Sequence, residues 1–480
     1  MAGRKLPNNL KLGVATSAYQ IEGAWNSDDK TPSIWDVMCH QPNNIEDNTT
    51  GDDACKSYYF YKRDIDMLKF LGVDFYRFSI NWTRLFPNGF TNITSSAGLD
   101  YYNNLINELL ANNIEPVVTM YHWDLPQKLQ DLGGWANPLI AYWFEDYARG
   151  LYKLFGDRVK TWITINEPHQ IAVFGCGMDM LAPRINCHGI GEYLAAKNIL
   201  MAHARAWHIY DEEFRKSQNG VCGIVIASDF AQGATNNIKD VEASVDAVEF
   251  HIGLYSHPIF SSDGDFPERV KRRVAAKSLE QGYPRSRLPE FTNDEIEYLK
   301  GTSDFFGFNH YTTYFYTRAN YESSIIPSFY DDIGAKIVEM NFEKGVTFQC
   351  TIVPKGIRRA LNWVKDTCNN PNIMIFENGF DSYGGLNDLN RVSYYRQYFD
   401  DILDAIEIDG CNITRYTAWS LMDNFEWASG SRLKFGLFQV DYDDENRKRS
   451  PRCSAIWYKQ LISTRTLNLN YVPLLEDICF

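Results

Sequence analysis

Eight times along the chain a short apolar, β-rich run gives way to a loop and then to a segment of helical periodicity. The runs are 10–17 LKLGVATS, 74–80 DFYRFSI, 114–121 IEPVVTMY, 160–166 KTWITIN, 220–228 GVCGIVIAS, 304–311 DFFGFNHY, 373–379 IMIFENG and 413–421 ITRYTAWSL. Between them lie segments such as 98–113 GLDYYNNLINELLANN and 357–368 IRRALNWVKDTC, whose apolar residues recur at three and four spacings. Strands alternating with helices in this way predict βα units around a parallel sheet. Eight of them close into a (β/α)8 TIM barrel, with the strands' C-terminal ends ringing one mouth. No linker or composition shift divides the 480 residues, so the chain reads as one barrel domain over 1–480.

Residues with chemical potential sit late in these runs or just after them: Gln20, Arg77, His122, Asn166, Glu167, Asn309, Tyr311, Glu377 and Trp419. An active-site face on a barrel requires that placement. In WITINEPHQ, the strand-like residues Trp162 to Ile165 end on Glu167, and Pro168 stops the ladder because it has no N–H to donate. In IMIFENG, Glu377 occupies the equivalent place. Two carboxylates across a barrel mouth suit glycosidic bond cleavage. A retaining mechanism sets them ~5–5.5 Å apart as acid and nucleophile, and an inverting one ~6.5–9.5 Å apart to admit water.

A net charge of −14 and a pI near 5.2 argue against nucleic acid or an anionic membrane as partner, since both demand a basic surface. A small soluble substrate fits better, and the 12 Trp, 29 Tyr and 29 Phe offer platforms for sugar C–H faces as well as core. No run approaches the ~20 apolar residues that span a bilayer, and MAGRKLPNNLKLG lacks a signal-peptide core. The literal expectation is a cytosolic protein, or a secreted one if a leader has been removed. The ten cysteines form no C-x-x-C pair, so no zinc or dithiol site is expected; Cys176 and Cys187 are the nearest pair that could bridge. Sequons begin at Asn48, Asn81, Asn92 and Asn412.

The chain resembles glycoside hydrolase family 1, the β-glucosidase family, from about Leu6 to about Ser463. The motifs that carry the resemblance are ATSAYQIEGAW (15–25), YRFSINWTRLFP (76–87), MYHWDLP (120–126), FGDRVKTWITINEP (155–168), FGFNHYTT (306–313), FENGF (376–380) and YTAWSLMDNFEW (416–427). In flavour they are similar to animal, especially insect, β-glucosidases and insect myrosinases. The resemblance implies a retaining double displacement with Glu167 as acid/base, Glu377 as nucleophile, and Arg77 and Tyr311 orienting it. It implies sugar contacts from Gln20, His122, Asn166, Asn309, Glu426 and Trp427, with Trp419 as the stacking floor. No metal or organic cofactor is implied, and the partner is a small glycoside.

Three departures bear on specificity. ASGSRLKFGLF follows Trp427, where many relatives carry a Tyr near Ser431; HQIAVFGCGMDMLAP follows Pro168; and TTYFYT follows the NHY motif. Hydrolysis of terminal β-D-glucosides is the preferred reading. A myrosinase-type thioglucosidase is the alternative, and an inactive carbohydrate-binding protein a remote one. A glucosinolate carries a sulfate and calls for a cation, for which Arg184 and Arg318 are the candidates. Plant myrosinases usually replace the acid Glu with Gln, whereas Glu167 is retained.

Overall fold

A computed structural model describes residues 3–319, 325–347 and 350–477. All eight expected runs are strands: β1 Lys11–Ala15, β2 Phe75–Ser79, β3 Glu115–Tyr121, β4 Thr161–Asn166, β5 Val221–Ala227, β6 Phe306–Asn309, β7 Ile373–Glu377 and β8 Ile413–Trp419. Each pairs in parallel with its neighbours in sequence, and β8 returns to β1, closing the barrel. β-Branched and aromatic residues dominate the strands, which are buried on both faces as parallel strands must be.

Helices wrap the outside. Ser96–Ala111 is capped by the Ser95 side chain, which accepts from the N–H of Gly98, and Pro354–Thr367 begins on a proline that has no N–H to leave unpaired. Among the described residues three small sheets lie outside the repeat, two of them the antiparallel pairs Arg4–Lys5 with Thr466–Leu467 and Phe438–Val440 with Arg449–Pro451. In the third, Phe230–Gly233, Thr313–Arg318 and Ala335–Val338 form a three-stranded sheet in the loops after β5 and β6, packed against the helix Ile238–Val248.

The barrel interior is layered. Phe75, Val117, Ile163, Val225, Phe305, Met374 and Phe376 form an apolar plug. Arg415 lies 5.0 Å from the centroid of Phe75 on the N-terminal side of this plug, and Arg77 lies 5.6 Å from that of Phe376 on the C-terminal side. The cations thus cap the plug at both ends. Below it, Glu115 accepts from Lys11 at 2.7 Å, from Arg415 at 2.8 Å and from the Thr161 hydroxyl at 2.9 Å.

Cys176 and Cys187 are not bridged; both are free thiols, one buried and one half-buried. The Asn81 sequon is also excluded as a glycan acceptor in the folded chain. Asn81 is 1% exposed, and its side-chain carbonyl caps a short helix by accepting from the Arg84 N–H and the Thr83 hydroxyl. Asn48, Asn92 and Asn412 are exposed. Among the described residues no helix is long and apolar enough to cross a membrane.

Candidate active site

Both glutamates sit at strand ends whose ladders are irregular. The β4–β5 register shifts between Ile163 and Asn166, and the β7–β6 register shifts between Ile375 and Glu377. Side chains alternate along a strand, so strict pleating would put Glu377 on the opposite face from Phe376, which belongs to the interior plug. The irregularity re-aims it into the mouth, as bulges at barrel rims do. Glu167 is turned by a different device. Its φ is +52°, a left-handed conformation costing a non-glycine residue on the order of 1–3 kcal/mol, and its N–H bonds the Val225 carbonyl at 2.9 Å. Pro168 disfavours the right-handed helical alternative at this position.

Arg77 is the hub. Its guanidinium donates to Glu377 Oε1 at 2.7 Å, Asn166 Oδ1 at 2.6 Å, Thr119 Oγ1 at 3.0 Å and the Phe376 carbonyl at 3.2 Å. The Tyr311 hydroxyl donates to Glu377 Oε2 at 2.7 Å. Both oxygens of Glu377 are therefore met by donors, which fix the orientation of the carboxyl. Among the described residues Glu167 makes no ion pair, and its side chain accepts from the Asn309 amide, 3.0 Å from Oε1. Burial, then the charge of Glu377, push the Glu167 carboxyl well above the usual carboxylate range.

The surrounding groups fit a polyhydroxylated ligand. Asn166 accepts from Arg77 and Asn309 and donates to His122 Nε2 at 3.2 Å, leaving one amide N–H. That bond makes Nε2 the acceptor and places the imidazole proton on Nδ1. Burial and the Arg77 charge keep His122 well below its ordinary value, hence neutral. Among the described residues His122 Nδ1 and Asn309 Oδ1 are buried without a hydrogen-bond partner. Gln20 accepts from Ser17 Oγ at 2.6 Å and donates to Asn424 Oδ1 and the Phe425 carbonyl, both at 2.9 Å; Glu426 Oε2 lies 3.5 Å away. Burial, then the charges of Glu377 and Asp381, push Glu426 up to about 8, so at neutral pH its carboxyl offers both a donor and an acceptor.

All eleven residues singled out in the sequence belong to this mouth, directly or through one partner. Trp419 and Trp427 both stack with His122, each 5.8 Å from its ring. The sequence reading missed Trp35 and Trp123, whose rings lie 4.6 and 4.5 Å from Trp427, and Thr119, which bonds Arg77. Trp123 was discoverable, since it directly follows His122 past the end of β3. Trp35 lies far from any strand end and carries no local signal.

Both candidate sulfate-binding cations touch a carboxylate, but Asp246 is shared by Arg318, Arg269 at 3.0 Å and Arg273 at 3.4 Å, so that cluster keeps excess positive charge. Arg318 pairs with Asp246 at 2.8 Å, and Arg184 with Asp179 at 2.8 Å. Ser431 turns its N–H and hydroxyl onto Asp47, tying the loop after β8 to the loop after β1.

The sequence profile of glycosyl hydrolase family 1 matches residues 2–467. The chain belongs to that family. Among its relatives, Myrosinase 1 of Brevicoryne brassicae is 43% identical over 464 residues, covering 96% of this chain and 99% of that one. Human cytosolic beta-glucosidase is 43% identical over 472 residues, covering 96% and 98%. Aphid myrosinase superposes with a TM-score of 0.90 at 42% identity, over 96% of this chain and 99% of that one. A rice beta-glucosidase mutant in a covalent complex with glucose superposes with a TM-score of 0.91 at 37% identity, over 96% and 99%. This family 1 protein is a glycoside hydrolase, and its substrate is a small glycoside.

Proposed function

We propose that this family 1 enzyme hydrolyses terminal β-D-glucosides with retention, working as a single catalytic unit. The carrying observation is the asymmetry of the two carboxyls: Glu377 is met by Arg77 and Tyr311, while buried Glu167 is met by an amide and, among the described residues, makes no ion pair. Different partners divide the labour between two carboxyls. In the first step a Glu377 oxygen bonds the anomeric carbon while Glu167 gives its proton to the departing glycosidic oxygen. In the second, Glu167 takes a proton from water, whose oxygen displaces Glu377 and releases the sugar. His122, Asn166, Gln20, Glu426 and Trp427 bind the sugar hydroxyls, Asn309 holds Glu167, and Trp419 forms the floor. A site built of such polar groups rejects analogues that leave them unpaired.

O-glycosides are preferred to glucosinolates on this reading because the raised Glu167 carboxyl supplies the proton that a departing glycosidic oxygen needs. The aphid relative keeps the thioglucosidase alternative in view. Initial rates on nitrophenyl β-glucoside, β-galactoside and β-fucoside, alongside a glucosinolate, decide the matter. Highest kcat/KM on the β-glucoside supports the proposal, and preferential glucosinolate cleavage overturns it.

A further inference from the structure

Just past the end of β5, Asp229 is a carboxylate that the reaction above does not use. Its Oδ1 accepts the backbone N–H of Tyr311 at 2.7 Å and that of Thr312 at 3.1 Å. The carbonyl of the same residue, Tyr311, accepts the hydroxyls of Tyr394 at 2.8 Å and Tyr398 at 3.2 Å. Tyr311 is thus gripped through both its N–H and its carbonyl, two residues beyond the end of β6, where no strand ladder remains to hold it.

We propose that Asp229 is a positioning residue for the nucleophile: by fixing the backbone at Tyr311 it aims the phenol hydroxyl that orients Glu377. The inference rests on the glycosidase reading and extends it to a residue that touches neither substrate nor nucleophile. The chemistry suits an anion, because a carboxylate taking two N–H groups on one oxygen makes charge-assisted bonds. Burial pushes the Asp229 carboxyl up to about 6, against the pull of these two donors, which leaves it charged at neutral pH. The other titratable groups that feel its charge are Glu167 at the end of β4, Tyr314 on the neighbouring strand, Cys350, and Tyr398 on the helix Leu389–Glu407. None of these is a cation. The charge of Asp229 therefore adds to burial and to Glu377 in holding the proton on Glu167.

The test is a double-mutant cycle on the full-length enzyme, after parent turnover of nitrophenyl β-glucoside has been established. An inactive parent would count against the glycosidase reading, whereas the cycle judges Asp229 alone. Asp229→Ala should lower kcat/KM roughly ten- to a hundredfold, the cost of losing charge-assisted bonds. In a Tyr311→Phe background the same change should cost little more, because the hydroxyl it aims is already gone. Asp229→Asn keeps an acceptor at Oδ1, so it should retain most of kcat/KM at neutral pH. Its alkaline limb should move to lower pH as Glu167 loses a neighbouring negative charge. Full multiplication of the Asp229→Ala and Tyr311→Phe effects would overturn the proposal. If Asp229→Ala fails to fold, the same cycle with Asp229→Ser, whose hydroxyl is too short to reach both N–H groups, would overturn it by full multiplication.

Discussion

The two ends of the barrel present the same residue in opposite states. Glu115 stands at the N-terminal end, where Lys11, Arg415 and Thr161 surround it, and the two cations, Arg415 first, outweigh its burial to bring it down to about 2. Glu167 stands at the C-terminal end with an asparagine amide, no ion pair among the described residues and a second carboxylate nearby, and it is driven up. Between them lies one apolar plug, with an arginine over each end. The difference teaches that depth and partners act together on a glutamate in this barrel: burial is the largest push on Glu167, while at half-buried Glu115 two cations prevail over it. The lower ring spends its cations on a glutamate that anchors the fold. The upper ring gives its cation to Glu377 and thereby leaves Glu167 to carry a proton.

The largest effect that would break this comparison is at the nucleophile. Glu377→Ala should lower kcat on an aryl β-glucoside by roughly 10⁴-fold or more, with the fold intact by circular dichroism. Surviving turnover would move the nucleophile elsewhere. Next comes Glu167→Gln, which should cost about 10²–10⁴-fold in kcat/KM on substrates whose leaving group needs a proton, and far less on a dinitrophenyl glucoside. In the parent enzyme the alkaline limb of kcat/KM should report Glu167. Its raised carboxyl stays protonated through the usual carboxylate range, so activity should fall only above that range, and in Glu167→Gln this limb should vanish.

At the lower end the effects should be on stability alone. Glu115→Gln should leave kcat/KM unchanged and lower the unfolding free energy by about 1–3 kcal/mol in urea. Its folded-state value is depressed, so this contribution is complete above about 4.5 and is lost as the pH falls towards about 2. A variant whose acid-unfolding profile matched the parent would refute the assignment. The smallest change is Lys11→Met. Its side chain is 50% exposed, and an ion pair so exposed is worth at most ~1 kcal/mol, read as a barely shifted urea midpoint.

Most of the fold was legible because alternation of strand-like and helical periods is a property of the chain itself. Every strand boundary fell within a few residues of its run; the run ending at Tyr311 was the loosest, since β6 stops at Asn309. The list of site residues was legible because each lies late in a run or in a matching motif. What could not be read was aim. Nothing in IMIFENG announces the register shift before Glu377, and nothing in WITINEP states that Glu167 will take a left-handed backbone. Both depend on neighbouring strands. Partnerships across the chain were equally hidden: Asp229 and Tyr311 lie 82 residues apart, and the parallel pairing of β5 with β6 brings them side by side.

The aromatic wall of the mouth has an optical consequence. Trp427 lies within 4.6 Å of both Trp35 and Trp123, centroid to centroid, and neutral His122 stacks with both Trp427 and Trp419. Indoles this close share their excited states, so the group should give a strong coupled signal in near-ultraviolet circular dichroism. A sugar settling against Trp419 and Trp427 would alter that signal and the emission of the cluster. The enzyme therefore carries its own label-free reporter of occupancy, and a Glu377→Gln variant titrated with substrate could be followed by fluorescence without any turnover.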